Sequence, residues 1–204
     1  MSLQPFTLIT GKAAPMLAAN IDTDVIMPKQ FLRGIDRSGL DRGLFFDLRF
    51  LPNGEPNPGF VLNQPAWLDA TFLVVGPNFG CGSSREHAVW GLKQMGIRAL
   101  IGSSFAGIFY DNCQRNGVLL ITLEEAVLQK LGQTVSQPEQ AQISVDLETQ
   151  VVRLADGEVI PFQIDTLRKT ALLLGLDAIG STLQRSEQIR AFELKHLQAN
   201  PWLS

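Results

Sequence analysis

Only two of the 204 residues are cysteine and only two are histidine. Two thiols, Cys81 and Cys113, are too few for a disulfide framework or for the usual iron–sulfur ligand set, and they read as partly buried thiols. Neither His87 nor His196 has a ligand-like neighbour at metal-binding spacing, so this chain is expected to bind no metal itself. Charge is also sparse. Lys and Arg number 17 against 20 Asp and Glu, a net −3, which gives no reason to expect a nucleic-acid or anionic-membrane partner. No apolar run approaches the length of a membrane span, and no charged N-terminal region leads into a hydrophobic one, so a cytoplasmic protein is expected. There are no repeats or low-complexity tracts.

What remains is an ordinary globular composition, 45% hydrophobic, long enough for one substantial core. Residues 1–204 are expected to form a single domain. The chain is organised around Gly80-Cys81-Gly82-Ser83-Ser84-Arg85-Glu86-His87. The apolar run Phe72-Leu73-Val74-Val75 ahead of it reads as a short buried strand. Ala88, Trp90-Gly91-Leu92 and Met95 after it suggest the inner side of a helix to about Gln94. The glycines permit a tight turn and close approach of bare backbone, and two hydroxyls and a guanidinium then emerge at a helix N-terminus, which favours an anion. Ser83 with Glu86 is equally a capping box, which starts helices without functional meaning.

Better-known glycine motifs do not fit. Arg85 stands where a dinucleotide fingerprint needs its third glycine. No Gly-Lys-Ser/Thr triplet closes a Walker loop, and Glu86 occupies the last position of a would-be nucleophile elbow. The expected ligand is a small carboxylate or phosphate and not a nucleotide.

Upstream, Phe6-Thr7-Leu8-Ile9 reads as an opening strand. Asp22 and Asp24 point the same way on an extended chain, or cap backbone N–H groups in an Asx-type turn before a short strand. Between Lys29 and Phe50, arginines alternate with apolar groups: Phe31, Arg33, Arg37, Arg42, Phe45, Phe46, Arg49 and Phe50. That mixture suits a substrate with carboxylates at one end and an alkyl group at the other, and it suits a subunit interface equally. Residues 52–65 read as an irregular surface loop.

Downstream the pattern is βαβ. Strands are expected over 98–102 and 118–121, with a helix over 104–116 capped by Ser103 or Ser104, with Ile108 and Phe109 inward. A helix over 124–131 should stop at Gly132. Strands over 142–145, 150–153 and 158–162 follow, with an Asp156-Gly157 hairpin turn. Asp165 should cap a helix to Leu174, stopped by Gly175, and a last amphipathic helix should cover 182–197. The fold class is therefore α/β, with a mixed or parallel sheet, packed helices and a helical C-terminal region.

The segment from Asn78 to Ala88 resembles the signature of the small, swivelling domain of the aconitase superfamily. Cys81 between the glycines is similar to the isopropylmalate isomerase branch. The resemblance extends through Asn20–Leu32, Ser104–Tyr110 and Gly175–Gly180, in the expected order, and looks like the longer bacterial form of that branch's small subunit. It implies a swivelling domain of β/β/α type. It also implies a hydro-lyase of leucine biosynthesis that interconverts 2-isopropylmalate and 3-isopropylmalate by dehydration and rehydration. The Lewis acid in the family is a [4Fe–4S] cluster, implied here to sit on a separate large subunit.

By motif position, the resemblance makes Ser83 the catalytic base and Asp24 a second catalytic residue near the active site. Gly82, Ser84 and Arg85 would bind a substrate carboxylate, Arg85 in a forked pair. His87 and Cys81 would stand behind the contact residues. The loop between Phe31 and Gly43 would read the substrate's side group. Two alternatives stay open: the same chemistry on homoaconitate, citraconate or dimethylmalate, and a dicarboxylate-binding module without catalysis.

Overall fold

The computed structural model describes residues 3–32 and 37–203. Seven strands form one curled sheet in the order β4-β3-β2-β1-β5-β6-β7. Their ranges are β1 Leu8–Met16, β2 Phe72–Val75, β3 Ala99–Gly102, β4 Leu119–Thr122, β5 Gln142–Asp146, β6 Val151–Arg153 and β7 Val159–Pro161. Strand β1 joins two kinds of sheet. Its second half, Ala13–Met16, runs parallel to β2, while its first half, Leu8–Lys12, pairs antiparallel with β5. The sheet is thus parallel from β1 to β4 and antiparallel from β1 through β5 and β6 to β7.

This division explains the two apolar patterns. β2 and β3 are buried at every position, because helices or curled sheet cover both faces. Leu73, Val75, Leu100 and Leu120 face one core, with Ala88 and Leu92 from α3 (Glu86–Gln94) and Phe109 and Cys113 from α4 (Gly107–Arg115). Phe72, Val74, Ala99 and Ile101 face the other. There they meet Leu128 and Leu131 from α5 (Glu125–Val135), Ile143 and Val145 from β5, and Leu172 from α6 (Thr166–Leu174). In β5, burial alternates strictly at Ile143 and Val145, the mark of a strand covered on one side.

Several expectations need correction. The opening strand begins at Leu8 and runs through the small residues to Met16 instead of ending at Ile9. Pairing on both sides outweighs the weak strand preference of Gly11-Lys12-Ala13-Ala14. A Cβ on Gly11 would lie 2.4 Å from Thr71 Oγ1, so only glycine lets these chains approach. Residues 23–26 form a one-turn helix, α1 (Thr23–Ile26), where a short strand was expected. Ile108 is 56% exposed while Phe109 is buried. These neighbours are about 100° apart around the helix, and Phe109, Asn112 and Cys113 form the inner face. The cap of α4 is the backbone of Ala106, not Ser103 or Ser104. Gly132 does not stop α5, which continues to Val135; the missing side chain makes room for Leu17.

The C-terminal region divides as well. Asp165 caps α6 through the amides of Leu167 and Arg168, and Gly175 ends it at φ 64°. The expected helix over 182–197 is two: α7 (Ala178–Leu183), capped by Asp177, and α8 (Ser186–Ala199). No residue of α8 is buried, and Ile189 and Phe192 lie exposed. Among the described residues, no helix is long and apolar enough to cross a membrane.

Leu100, fully buried in β3, tests the packing. Leu100→Ala should destabilise the chain by about 2–5 kcal/mol in urea unfolding, with the denaturant slope unchanged.

Candidate active site

The site stands at the carboxyl ends of β1 and β2, the side of a parallel sheet where ligands usually bind. Two loops meet there. The first, from β1 to α1, ends in Asp22 and leads straight into Asp24 in the first turn of α1; the second, from β2 to α3, carries residues 76–85. They are laced by backbone bonds: Asn20 N–H to Pro77 O (2.9 Å), Gly80 N–H to Ile21 O (2.8 Å) and Thr23 N–H to Cys81 O (2.8 Å). Asp22 and Cys81 form a single parallel bridge. The loops therefore continue the β1–β2 pairing beyond the regular strands.

Glycine is required at two points. Gly80 has φ 77°, and a Cβ there would fall 2.2 Å from the Phe109 ring. The close approach is to a core aromatic ring, where the motif suggested a bound group. Gly82 has φ 92° and turns the chain outward. Beyond it Ser83 and Ser84 are exposed. The Ser83–Glu86 capping box does not form: Arg85 is the N-cap of α3, and no side chain caps it. Glu86 instead accepts a bond from Asn116 Nδ2 (2.8 Å), whose Oδ1 accepts from Trp90 Nε1 (3.0 Å). The capping geometry loses because Ser83 lies two residues ahead of the cap, leaving its hydroxyl on the open surface.

Arg85 is only 8% exposed. Its Nη1 donates to Thr23 O (3.3 Å) and Met27 O (3.2 Å) and lies 2.7 Å from Asp24 Oδ1. A buried guanidinium must be paired, and here both carbonyls and the carboxylate come from α1 and its C-cap. Asp24 itself is half-exposed, with Lys29 Nζ at 3.9 Å. The hydrogen bond from Arg85 holds the Asp24 carboxyl below its ordinary value, with the charges of Arg85 and Lys29 adding to the effect. Asp22, by contrast, faces its own helix: its Oδ1 accepts from Val25 N–H (2.8 Å) and caps α1.

Thr23, unmarked in the sequence, proves central. It is 1% exposed, and its hydroxyl donates to Ser83 O (2.8 Å), fixing the serine turn from beneath. Its sequence signals were its place between the aspartates and within the Asn20–Leu32 segment. His87 packs its ring 4.7 Å from that of Trp90 and belongs to the helix surface behind the turn. Cys81 is half-buried, and Cys113 is fully buried, its thiol pushed up by desolvation. Among the described residues no group of three or more His, Cys, Asp or Glu could hold a metal ion. With two cysteines in the whole chain, one of them sealed in the core, the donors do not fit an iron–sulfur cluster.

The arginine- and phenylalanine-rich segment resolves into structural parts. Arg49 Nη1 donates to Asp41 O (2.6 Å) and Leu44 O (3.2 Å), and Phe45 is fully buried. The rings of Phe31, Phe46 and Phe50 pack in sequence at tilted angles, each 5.0 Å from the next. Arg37 lies over Trp90 at 4.2 Å, and Arg42 is exposed. The expected selectivity loop includes residues 33–36, which lie outside the described residues.

Asp24→Asn would remove the carboxylate side of the buried pair. Because the folded-state carboxyl titrates below its ordinary 3.8, its stabilisation is fully present above that pH and is lost as pH falls through the lowered value. Thermal melting should thus show the variant less stable than wild type at neutral pH, the gap closing on the acid side. A gap that stays constant through acid would refute the pairing.

Comparison with known proteins identifies the family. Residues 3–126 match the aconitase C-terminal domain, 129–166 the LeuD_N model, and 179–204 the C-terminal domain of the 3-isopropylmalate dehydratase small subunit. The 3-isopropylmalate dehydratase small subunit 1 of Mannheimia succiniciproducens is 64% identical over 98% of this chain and 99% of that protein. The small subunit of Rhodospirillum rubrum is 51% identical over 98% and 97%. The crystal structure of 3-isopropylmalate dehydratase from Methanocaldococcus jannaschii superposes with a TM-score of 0.67 at 26% identity, covering 91% of this chain and 99% of that one. By sequence across nearly its whole length and by fold, the chain belongs to the family of 3-isopropylmalate dehydratase small subunits.

Proposed function

We propose that the chain is the small subunit of a cytoplasmic hydro-lyase that interconverts 2-isopropylmalate and 3-isopropylmalate, and that it works only when its site is closed by a large subunit. The carrying observation is that Ser83 and Ser84 stand exposed on a rigidly supported turn, beside the Asp24–Arg85 pair. A second wall must come from elsewhere. The partner would hold the [4Fe–4S] cluster, which would supply a Lewis acid for the substrate hydroxyl; this chain's own donors do not fit such a group.

In this reading Ser83 Oγ takes the carbon-bound proton as the alkene diacid forms and returns it on rehydration. A serine hydroxyl is a poor base, so the oxygen needs the positive end of α3 and the Arg85 guanidinium beside it. Asp24 neutralises part of that charge at Nη1. A substrate carboxylate therefore falls to the Nε and Nη2 edge of Arg85, with Ser84 and the bare backbone at Gly82 holding its other oxygen. Residues 1–204 would move as one swivelling unit against the partner.

The test is reconstitution. Formation of the unsaturated diacid from 2-isopropylmalate would be followed with this chain alone, a cluster-loaded large subunit alone, both together, and both with Ser83→Ala. Activity is expected only when both chains are present, with Ser83→Ala lowering kcat by roughly 10²–10⁴-fold while complex formation persists. Turnover of homocitrate or citramalate in place of 2-isopropylmalate would overturn the substrate. Full activity of Ser83→Ala would overturn the base.

A further inference from the structure

We propose that Asn20 and Asn78 form a cross-loop clamp that sets the distance between the Asp24 loop and the Ser83 turn, making both asparagines positioning residues for the reaction. The proposal rests on the functional reading above, since it concerns the same site.

Asn78 Nδ2 donates to Asn20 Oδ1 at 2.8 Å, although the residues are 58 apart in sequence. Each sits a few residues beyond a parallel strand, β1 ending at Met16 and β2 at Val75, in the loop that leads to the site. Both adopt the left-handed conformation, φ 59° for Asn20 and φ 57° for Asn78. Asparagine tolerates that region better than other side-chain-bearing residues, but glycine reaches it without strain. A turn alone therefore calls for glycine at either place. What asparagine adds is the amide, and the two amides are used on each other.

The clamp lies at the root of both functional loops. Asn20 N–H bonds to Pro77 O, immediately before Asn78, and Gly80 N–H bonds to Ile21 O, immediately after Asn20. From this point the two chains run side by side to the Asp22–Cys81 bridge and to Thr23, which holds Ser83 O. Asn78 also ties in a third loop, its N–H donating to Ser104 Oγ (2.9 Å). The loops at the carboxyl ends of β1, β2 and β3 thus meet at Asn78, its side chain holding the first and its backbone the third. Both side chains are exposed, so the core does not depend on them. Losing their bond leaves the fold standing and lets the Asp24–Ser83 spacing vary, which is costly where reacting groups must be held within a fraction of an ångström.

Glycine variants isolate the bond because they keep both turns. In the reconstituted enzyme, Asn20→Gly and Asn78→Gly should each lower kcat about tenfold, the scale of one lost hydrogen bond, with KM little changed. The double variant should be no worse than either single one, as expected for two halves of one interaction. Asn20→Asp should keep activity, because the carboxylate still accepts from Asn78. Asn78→Asp should keep it too, once the Asn20 amide turns to donate. Both together should lose it, with two carboxylates facing each other.

An independent readout uses this chain alone. Amide hydrogen exchange at Gly80 and Thr23 should quicken in the glycine variants while the melting temperature stays with the wild type. Additive kinetic losses, wild-type kcat in the glycine variants, or unchanged exchange would each overturn the clamp. An inactive wild-type mixture would sink the functional reading instead, and the exchange data would still decide whether the clamp exists.

Discussion

The site depends on one buried charge. Arg85 is taken out of water at the entrance to α3, and its Nη1 must find oxygen there. It finds Thr23 O, Met27 O and Asp24 Oδ1, all within five residues of one another. That pairing presses the α1 turn against the start of α3 and fixes where Asp24 can stand. Thr23 repeats the connection in the other direction through Ser83 O. The residues with chemical promise are thereby held by two neighbouring side chains that themselves face inward.

The sheet supplies the platform. Because β1 is parallel to β2 in one half and antiparallel to β5 in the other, the chain can close a curled sheet and still present its parallel carboxyl ends at one place. Gly80 then brings the motif loop down onto Phe109, so the turn rests on the core. Rigidity beneath and exposure above is the arrangement expected of half a site, whose other wall arrives with a partner. Membership of a family named for small subunits is consistent with that arrangement.

The far end of the chain is less integrated. α8 buries no residue, and Ile189 and Phe192 face solvent. Its apolar spacing is readable as a helix, but spacing shows a face without showing what covers it.

Much of the fold was legible in the sequence for local reasons. Phe72–Val75 and Ala99–Gly102 read as buried strands because unbroken apolar runs suit a sheet covered on both faces. Asp165 and Gly175 bounded α6 because capping and left-handed termination are properties of single residues. The motif from Gly80 to His87 picked out the turn put forward as the site, since two glycines ahead of hydroxyls and an arginine specify a turn and suggest its chemistry together. What tertiary structure alone decided were the partners. Ser83 could cap α3 by spacing, yet the burial of Arg85 moved the cap. Residue pattern alone left Asp22 and Asp24 equivalent, and only the family resemblance singled out Asp24; in the fold one caps its own helix and the other meets Arg85, 61 residues away. Asn20, Thr23 and Asn78 stood in the quoted motifs without a role of their own, because their roles are bonds across loops, and no local pattern encodes which distant oxygen a donor will reach.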